Sequence, residues 1–385
     1  MVEWKKLGEI AVVQKKKNKQ HVTENAYSIT QAGLVPTKSF FKEKTHVTSS
    51  DTSGYYIVEK DWFVYSPSRI DVGSINYLKD EGPVIVSPID VVFSIDKSIC
   101  LPSYLLCFFF TYQGKAALLK NREGVEGMGR RNLPFDSIKS MLIPVPSLSE
   151  QARIVGILDT FTSAIDNLKE QIAQRRKQYE HYRDQLLDLE GKPGVKMKTL
   201  GEAFDTRNGY TPSTSNKHFW EGGTIPWFKM EDIRDNGRIL HDSYLHITPM
   251  AVKGKGLFKA NSIILATSAT IGEHALILVD YLCNQRFTNF FPKEIYTHNI
   301  EMKYVYYYMF IIDEWCKQHV NQGGFASVDM SGLYNLSFPL PSLQEQQRIV
   351  SILDTFEASI QNLEAQLKQR EKQYEYYRNK LLTFE

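Results

Sequence analysis

The side chains able to do chemistry in this 385-residue chain fall in a few short clusters. There is no G-x-x-x-x-G-K-[ST] loop, no H-E-x-x-H pair and no N-P-P-Y tetrad, so phosphoryl transfer, zinc hydrolysis and base methylation lack a local anchor. Glu301 and Lys303 form a lone E-x-K triplet of the nuclease kind, common by chance and without a supporting acidic partner. Cys100, Cys107, Cys283 and Cys316 make no C-x-x-C pair and read as reduced, mostly buried thiols of an intracellular protein. What remains is basic and amide chemistry. Lys15, Lys16, Lys17 and Lys19 form a basic run, Arg69 lies in a PSRIDVGS turn, and Arg130 and Arg131 follow Gly127 and Gly129. Further on, Arg207, Asn208, Tyr210, Thr211, Ser213 and Lys217 make a polar loop with one aromatic, and Asn284, Gln285 and Arg286 are contiguous. Gln322 and Ser327 occupy a second Gly/polar segment, placed like the one holding the arginine pair. The net charge of +2 excludes a polycation but not local basic faces.

The elements that must position these clusters come from an internal repeat. EQARIVGILDTF (150–161) returns as EQQRIVSILDTF (345–356), and RKQYEHYRDQLL (176–187) as EKQYEYYRNKLL (371–382). Across 150–190 and 345–385, 25 of 41 positions are identical. Within the first copy Ile154, Leu158, Phe161, Ile165, Leu168, Ile172, Arg175, Tyr179, Tyr182, Leu186 and Leu189 step alternately by four and three residues. Ile349, Leu353, Phe356, Ile360, Leu363, Leu367, Arg370, Tyr374, Tyr377, Leu381 and Phe384 repeat the register. That spacing is a coiled-coil seam, so each segment is expected to be a helix of about 60 Å paired with another helix. Arg175 and Arg370 are its polar positions, which either fix the pairing or carry their charge out to water. PVPS and PLPS precede the two helices, and EGKPGVKMK (190–198) closes the first.

The chain therefore divides into 1–149, a globular unit; 150–190, a long helix; 191–344, a second globular unit; and 345–385, a second long helix. Each unit mixes β-rich runs (84–95; 261–272) with an aromatic-rich helical stretch, and Trp220 and Trp227 read as core. Residues 1–149 carry 19 Lys+Arg against 15 Asp+Glu, residues 191–344 carry 15 against 14, and the helices 12 against 15. Positive charge thus favours the globular units. The apolar runs 101–112 and 304–312 are shorter than the roughly 20 residues of a membrane span, so they are expected to be buried helices of a soluble, cytoplasmic protein.

The order of variable unit and repeated helix, with PxPSLxEQxRIVxILDTF and QYxxYRxxLL in both copies, resembles the specificity subunits of type I restriction–modification systems over essentially the whole chain. RNGYTPSTSNKHFWEGGTIPWFKMEDI (207–233), ATIG (269–272) and NQRF (284–287) look like that family's target-recognition domain; PSRIDVGSI (67–75) and VSP (86–88) resemble another variant of it. The resemblance implies an α+β fold: two mixed α/β target-recognition domains separated by two long helices that form an antiparallel coiled-coil spacer, an internal duplication with a pseudo-two-fold axis. It implies a non-catalytic DNA-binding subunit reading an asymmetric bipartite target in double-stranded DNA. Its partners would be two methyltransferase subunits using S-adenosylmethionine and restriction subunits using ATP with magnesium, with no cofactor or metal on this chain. The clusters above become candidate DNA contacts, because Lys and Arg neutralise phosphate, Arg reads guanine and amides read adenine. For Arg130 and Arg131 the alternative is an ion pair with Asp136 or Glu126. The rival for the whole chain is a coiled-coil adaptor joining two protein-binding modules.

Overall fold

The computed structural model describes residues 2–31, 33–40, 51–70, 73–80, 82–121, 133–321 and 326–384. Two repeated helices, Leu148–Leu187 and Leu343–Leu381, dominate it, as the four/three spacing requires. Both begin before the repeated EQ, because the serine of the PxPS boundary caps them: Ser147 Oγ accepts from the Glu150 N–H and Ser342 Oγ from the Glu345 N–H, each at 3.3 Å. The rest of the motif is explained by its bonds. Arg153 forks onto Glu150 at 2.6 and 2.7 Å, and Arg348 onto Glu345 at 2.7 and 2.8 Å. The glutamine that follows is fully buried in both copies. Gln151 accepts from the Leu101 N–H at 2.8 Å and donates to the Ile99 and Pro146 carbonyls at 2.9 Å. Gln346 accepts from the Glu301 N–H at 2.8 Å and donates to the Asn299 and Pro341 carbonyls at 2.8 and 3.0 Å. One side chain thus ties each long helix to the strand before it and to the helix of its globular domain.

The chain forms two compact units. The first is Met1–Glu170 with Glu364–Glu385, the second Gln171–Leu363. Each contains a segment of both long helices, the N-terminal part of one with the C-terminal part of the other, as an antiparallel pair requires. In the first unit Phe161 stacks on Tyr377 with ring centroids 5.3 Å apart, and in the second Tyr182 stacks on Phe356 at 5.4 Å. The two seam arginines lie over aromatic rings of the opposite helix, Arg370 over Phe161 and Arg175 over Phe356, each at 5.9 Å. The seam does not run to its expected ends. Leu187 and Leu189 enter the core of the second unit and Leu382 that of the first, with Leu186, Leu381 and Phe384 packed beside them. A globular core removes more apolar surface from water than one helix face can, and the last turns go there.

In the first unit a four-stranded antiparallel sheet has the order Ala11–Gln14, Val91–Ile95, Phe63–Tyr65, Ile75–Tyr77. Phe63, Phe93, Phe108, Phe109 and Tyr104 fill the space between this sheet and the helix Pro102–Phe109. A small second pair, Tyr56–Val58 with Val84–Val86, lies under its own cluster of Ile29, Val58, Val64 and Val86. The second unit has a five-stranded sheet: Phe204–Asn208, Phe287–Pro292, Ser262–Ala266, His274–Ile277 and Ile239–Leu240. The helix Met302–Gln318 packs on it, and Trp227 lies in a further core with Phe228, Tyr281 and Phe287. The apolar runs of the sequence are thus parts of domain helices; among the described residues no helix is long and apolar enough to cross a membrane. Tyr104 and Tyr304 make the same bond in the two units, to the carbonyls of Pro144 (2.8 Å) and Pro339 (3.0 Å).

Candidate nucleic-acid interface

In the second unit three connections leave one end of the sheet together. Asn208 pairs with Thr288 and Ala266 with Phe287, so the segments after Asn208, after Ala266 and before Phe287 share that edge. The hairpin of Val320–Asn321 and Ser327–Val328 joins them: the Val328 N–H donates to the Thr267 carbonyl at 2.9 Å, and Ser268 bridges to Ser327. Side chains knit the edge. Thr211 Oγ1 donates to Gln285 Oε1 at 2.5 Å, Thr288 Oγ1 to Asn208 Oδ1 at 2.9 Å, and the Arg286 N–H to Asn284 Oδ1 at 2.9 Å. Gly209 lets the loops approach, since a Cβ there would sit 2.3 Å from the carbonyl oxygens of Cys283 and Asn284. Ala269 holds a left-handed φ of 65°, a conformation an alanine adopts only when its surroundings impose it. The result is a rigid rim on which Asn208, Thr211, Ser213, Lys217, Gln285 and Arg286 are exposed.

The first unit builds its rim at the same end of the same kind of sheet. Its central strand Val91–Ile95 is flanked by Ala11–Gln14 and Phe63–Tyr65, as Phe287–Pro292 is flanked by Phe204–Asn208 and Ser262–Ala266. Lys15–Lys19, Ser66–Arg69 and Ser87–Asp90 occupy the three connections. Lys15, Lys17, Lys19 and Arg69 are exposed; Lys16 pairs with Glu59 at 2.8 Å. Asp90 lies beneath the rim, 8% exposed, and burial pushes its carboxyl up to about 7 against the opposing charge of Arg69. A folded-state pKa raised above the ordinary 3.8 gives a contribution to stability that is whole below about 4 and is lost as pH rises through about 7. Asp90→Asn should therefore remove a loss of a few kcal/mol at most. Urea unfolding between pH 5 and 8 should show wild type weakening with rising pH and the variant holding level; parallel profiles would refute the assignment.

The thiols offer no competing chemistry, since burial pushes Cys100 and Cys316 up to about 12 and Cys107 to about 11, and raises Cys283 as well. Glu301 and Lys303 do structural work: Glu301 caps its helix by accepting from the Lys303 N–H, and Lys303 pairs with Asp354 at 2.8 Å. Among the described residues no group of three or more His, Cys, Asp or Glu could hold a metal ion.

Comparison with known proteins bears on this architecture directly. The family model for the type I restriction modification DNA specificity domain matches residues 1–175 and again 193–371. The chain belongs to the type I restriction–modification specificity family. It is 47% identical over 216 residues to the type I restriction enzyme EcoprrI specificity subunit of Escherichia coli, a match spanning about half of each chain (53% of both). It is 34% identical over 313 residues to the EcoR124I/EcoR124II specificity subunit of the same species, covering 77% of this chain and 74% of that one. Its fold resembles a chain of a type I R-M system (TM-score 0.66, 18% identity, 99% of this chain and 96% of that one). It also resembles the HsdS subunit from Thermoanaerobacter tengcongensis (TM-score 0.52, 17% identity, 99% and 96%).

The specificity-family fold sorts the sequence candidates. It brings Asn208, Thr211, Asn284, Gln285, Arg286 and Ser327 onto one rim, and Lys15, Lys16, Lys17, Lys19 and Arg69 onto the other. Ser213 bonds Ser215 at 2.9 Å and Lys217 approaches Glu221 at 3.8 Å, both at the margin of the second rim. Arg207 and Tyr210 turn inward instead. The Arg207 guanidinium donates to the Lys255 and Gly256 carbonyls at 2.8 and 2.9 Å and stacks 4.0 Å over Phe258. The Tyr210 hydroxyl donates to the Ala251 carbonyl and accepts from the Lys253 N–H, at 3.1 and 2.9 Å. Both side chains brace the 207–258 region. Arg130, Arg131, Glu126 and Gln322 lie outside the described residues; Asp136, named as a partner of that pair, is bonded to Lys139. Sequence reasoning missed Ser268 and Ile89 and marked Ala269 only within the ATIG motif, because backbone geometry and exposure placed them on the rims.

Proposed function

We propose that this chain is the DNA-reading subunit of a type I restriction–modification complex, recognising an asymmetric bipartite target in double-stranded DNA. The observation that carries it is the pair of rims, built alike at equivalent sheet ends but furnished differently. Four lysines and Arg69 stand on one; Thr211, Gln285 and Arg286 stand on the other. Cations supply affinity for phosphate, while guanidinium and amide groups select base edges. Arg286 suits guanine and Gln285 suits adenine, and unlike rims imply unlike half-sites. The chain does no chemistry itself; it docks two methyltransferase subunits, which use S-adenosylmethionine, and restriction subunits, which use ATP with magnesium, in the cytoplasm. The exposed lysines of the first rim favour this over a protein–protein adaptor.

Long-read mapping of methylated adenines, in cells carrying the methyltransferase subunit with and without this chain, should reveal a split asymmetric motif that requires the chain. Absence of any chain-dependent motif, with the methyltransferase shown active beside another specificity subunit, would reject the proposal. Exchanging residues 191–344 for the corresponding unit of another family member should change one half of that motif and leave the other intact; a change in both halves contradicts modular readout.

A further inference from the structure

Ile89 is 75% exposed, the most exposed of the large apolar side chains among the described residues. It stands at the tip of the turn Ser87–Pro88–Ile89–Asp90, closed by a 3.0 Å bond from the Asp90 N–H to the Ser87 carbonyl. Such a position normally takes Asn, Asp, Ser or Gly, whose side chains serve the turn. An isoleucine gives the turn nothing and leaves its hydrophobic burial unrealised. Its neighbours are not loose: Val86 and Val92 are buried, and Asp90 is nearly so. The turn is also part of the cationic rim. Lys17 bridges to Tyr56, Tyr56 pairs with Val86, and Arg69 acts electrostatically on Asp90. The same connection in the second unit carries Gln285 and Arg286. A stiff, β-branched apolar group on a rim that also carries the exposed Lys15, Lys17, Lys19 and Arg69 has one natural complement on duplex DNA, the 5-methyl group of thymine in the major groove.

We infer that Ile89 reads a thymine methyl within the half-site met by the first unit; this rests on the DNA-reading function proposed above. The test uses the full chain in complex with its methyltransferase subunits and duplexes of the mapped target. Each thymine is replaced singly by uracil, which removes only the methyl group. One uracil in that half-site should weaken wild-type binding about fivefold. The same uracil should leave Ile89→Ala unaffected, its affinity having already fallen to the wild-type-on-uracil level. Arg286→Ala should keep the wild-type response to that uracil. The inference is overturned if the half-site holds no thymine, if no uracil distinguishes wild type from Ile89→Ala, or if Ile89→Ala weakens every duplex alike, the mark of an inserted wedge. Target-specific binding by wild type in those cases leaves the DNA-reading function standing; its absence removes both.

Discussion

Gln346→Leu should destabilise the second unit by roughly 3 kcal/mol, because it strands one buried and two partly buried backbone groups, at about 1–3 kcal/mol for the buried one and less for each of the others. The Glu301 N–H loses its acceptor, and the Asn299 and Pro341 carbonyls lose their donors. Leucine fills nearly the same volume, so lost packing contributes little and the deficit reports the hydrogen bonds. Gln151→Leu should cost the first unit a similar amount, since Gln151 makes the same three bonds to Leu101, Ile99 and Pro146. Urea unfolding followed by circular dichroism measures both. A loss under about 1 kcal/mol in either would mean that water replaces the side chain and that the glutamine is not the tie between helix and domain.

Gly209→Ala should abolish readout by the second unit while leaving the chain folded. The added methyl meets the Cys283 and Asn284 carbonyls at 2.3 Å and Cys283 Sγ at 2.7 Å, so one loop must leave the other. Thr211 then loses Gln285, and the rim residues on the two loops are no longer held in register. Each well-placed base contact discriminates by about 1–3 kcal/mol, so losing one or two lowers target affinity on the order of a hundredfold. Binding of the complex to its target, compared with a duplex altered only in the half-site of the second unit, checks it. The variant should no longer distinguish the two duplexes. Undiminished discrimination would show that the 209–213 loop does not shape the rim.

Much of the architecture was legible because it is periodic. The four/three stepping from Ile154 to Tyr179 and from Ile349 to Tyr374 follows from helical geometry, which depends only on near neighbours, and the structure has those helices. The repeat also revealed that two equivalent units exist, and it contained a signal left unused: a glutamine retained in both copies beside a proline boundary. What that glutamine does required knowing which carbonyl and N–H groups lie opposite it, some 45–52 residues away.

The rims were legible in part. Composition located the lysine run and the Asn284–Arg286 cluster, but it ranked Arg207 and Tyr210 beside Thr211, although the first two brace the domain and the third faces outward. Residue type is the same in either role; only the direction of the side chain differs. Ile89 gave no sign, and Ala269 showed only as the first residue of ATIG and not as a strained rim position, because exposure and a left-handed backbone are imposed by the rest of the domain.

From residues alone came the duplication, the seam, the domain helices and the family. Tertiary structure alone decided which polar side chains share a surface, because Thr211 and Gln285 are 74 residues apart and meet through strand pairing rather than spacing. Local periodicity is written in consecutive residues, whereas a recognition rim is assembled from loops that the chain visits far apart, and its membership is set by packing and hydrogen bonding across those distances.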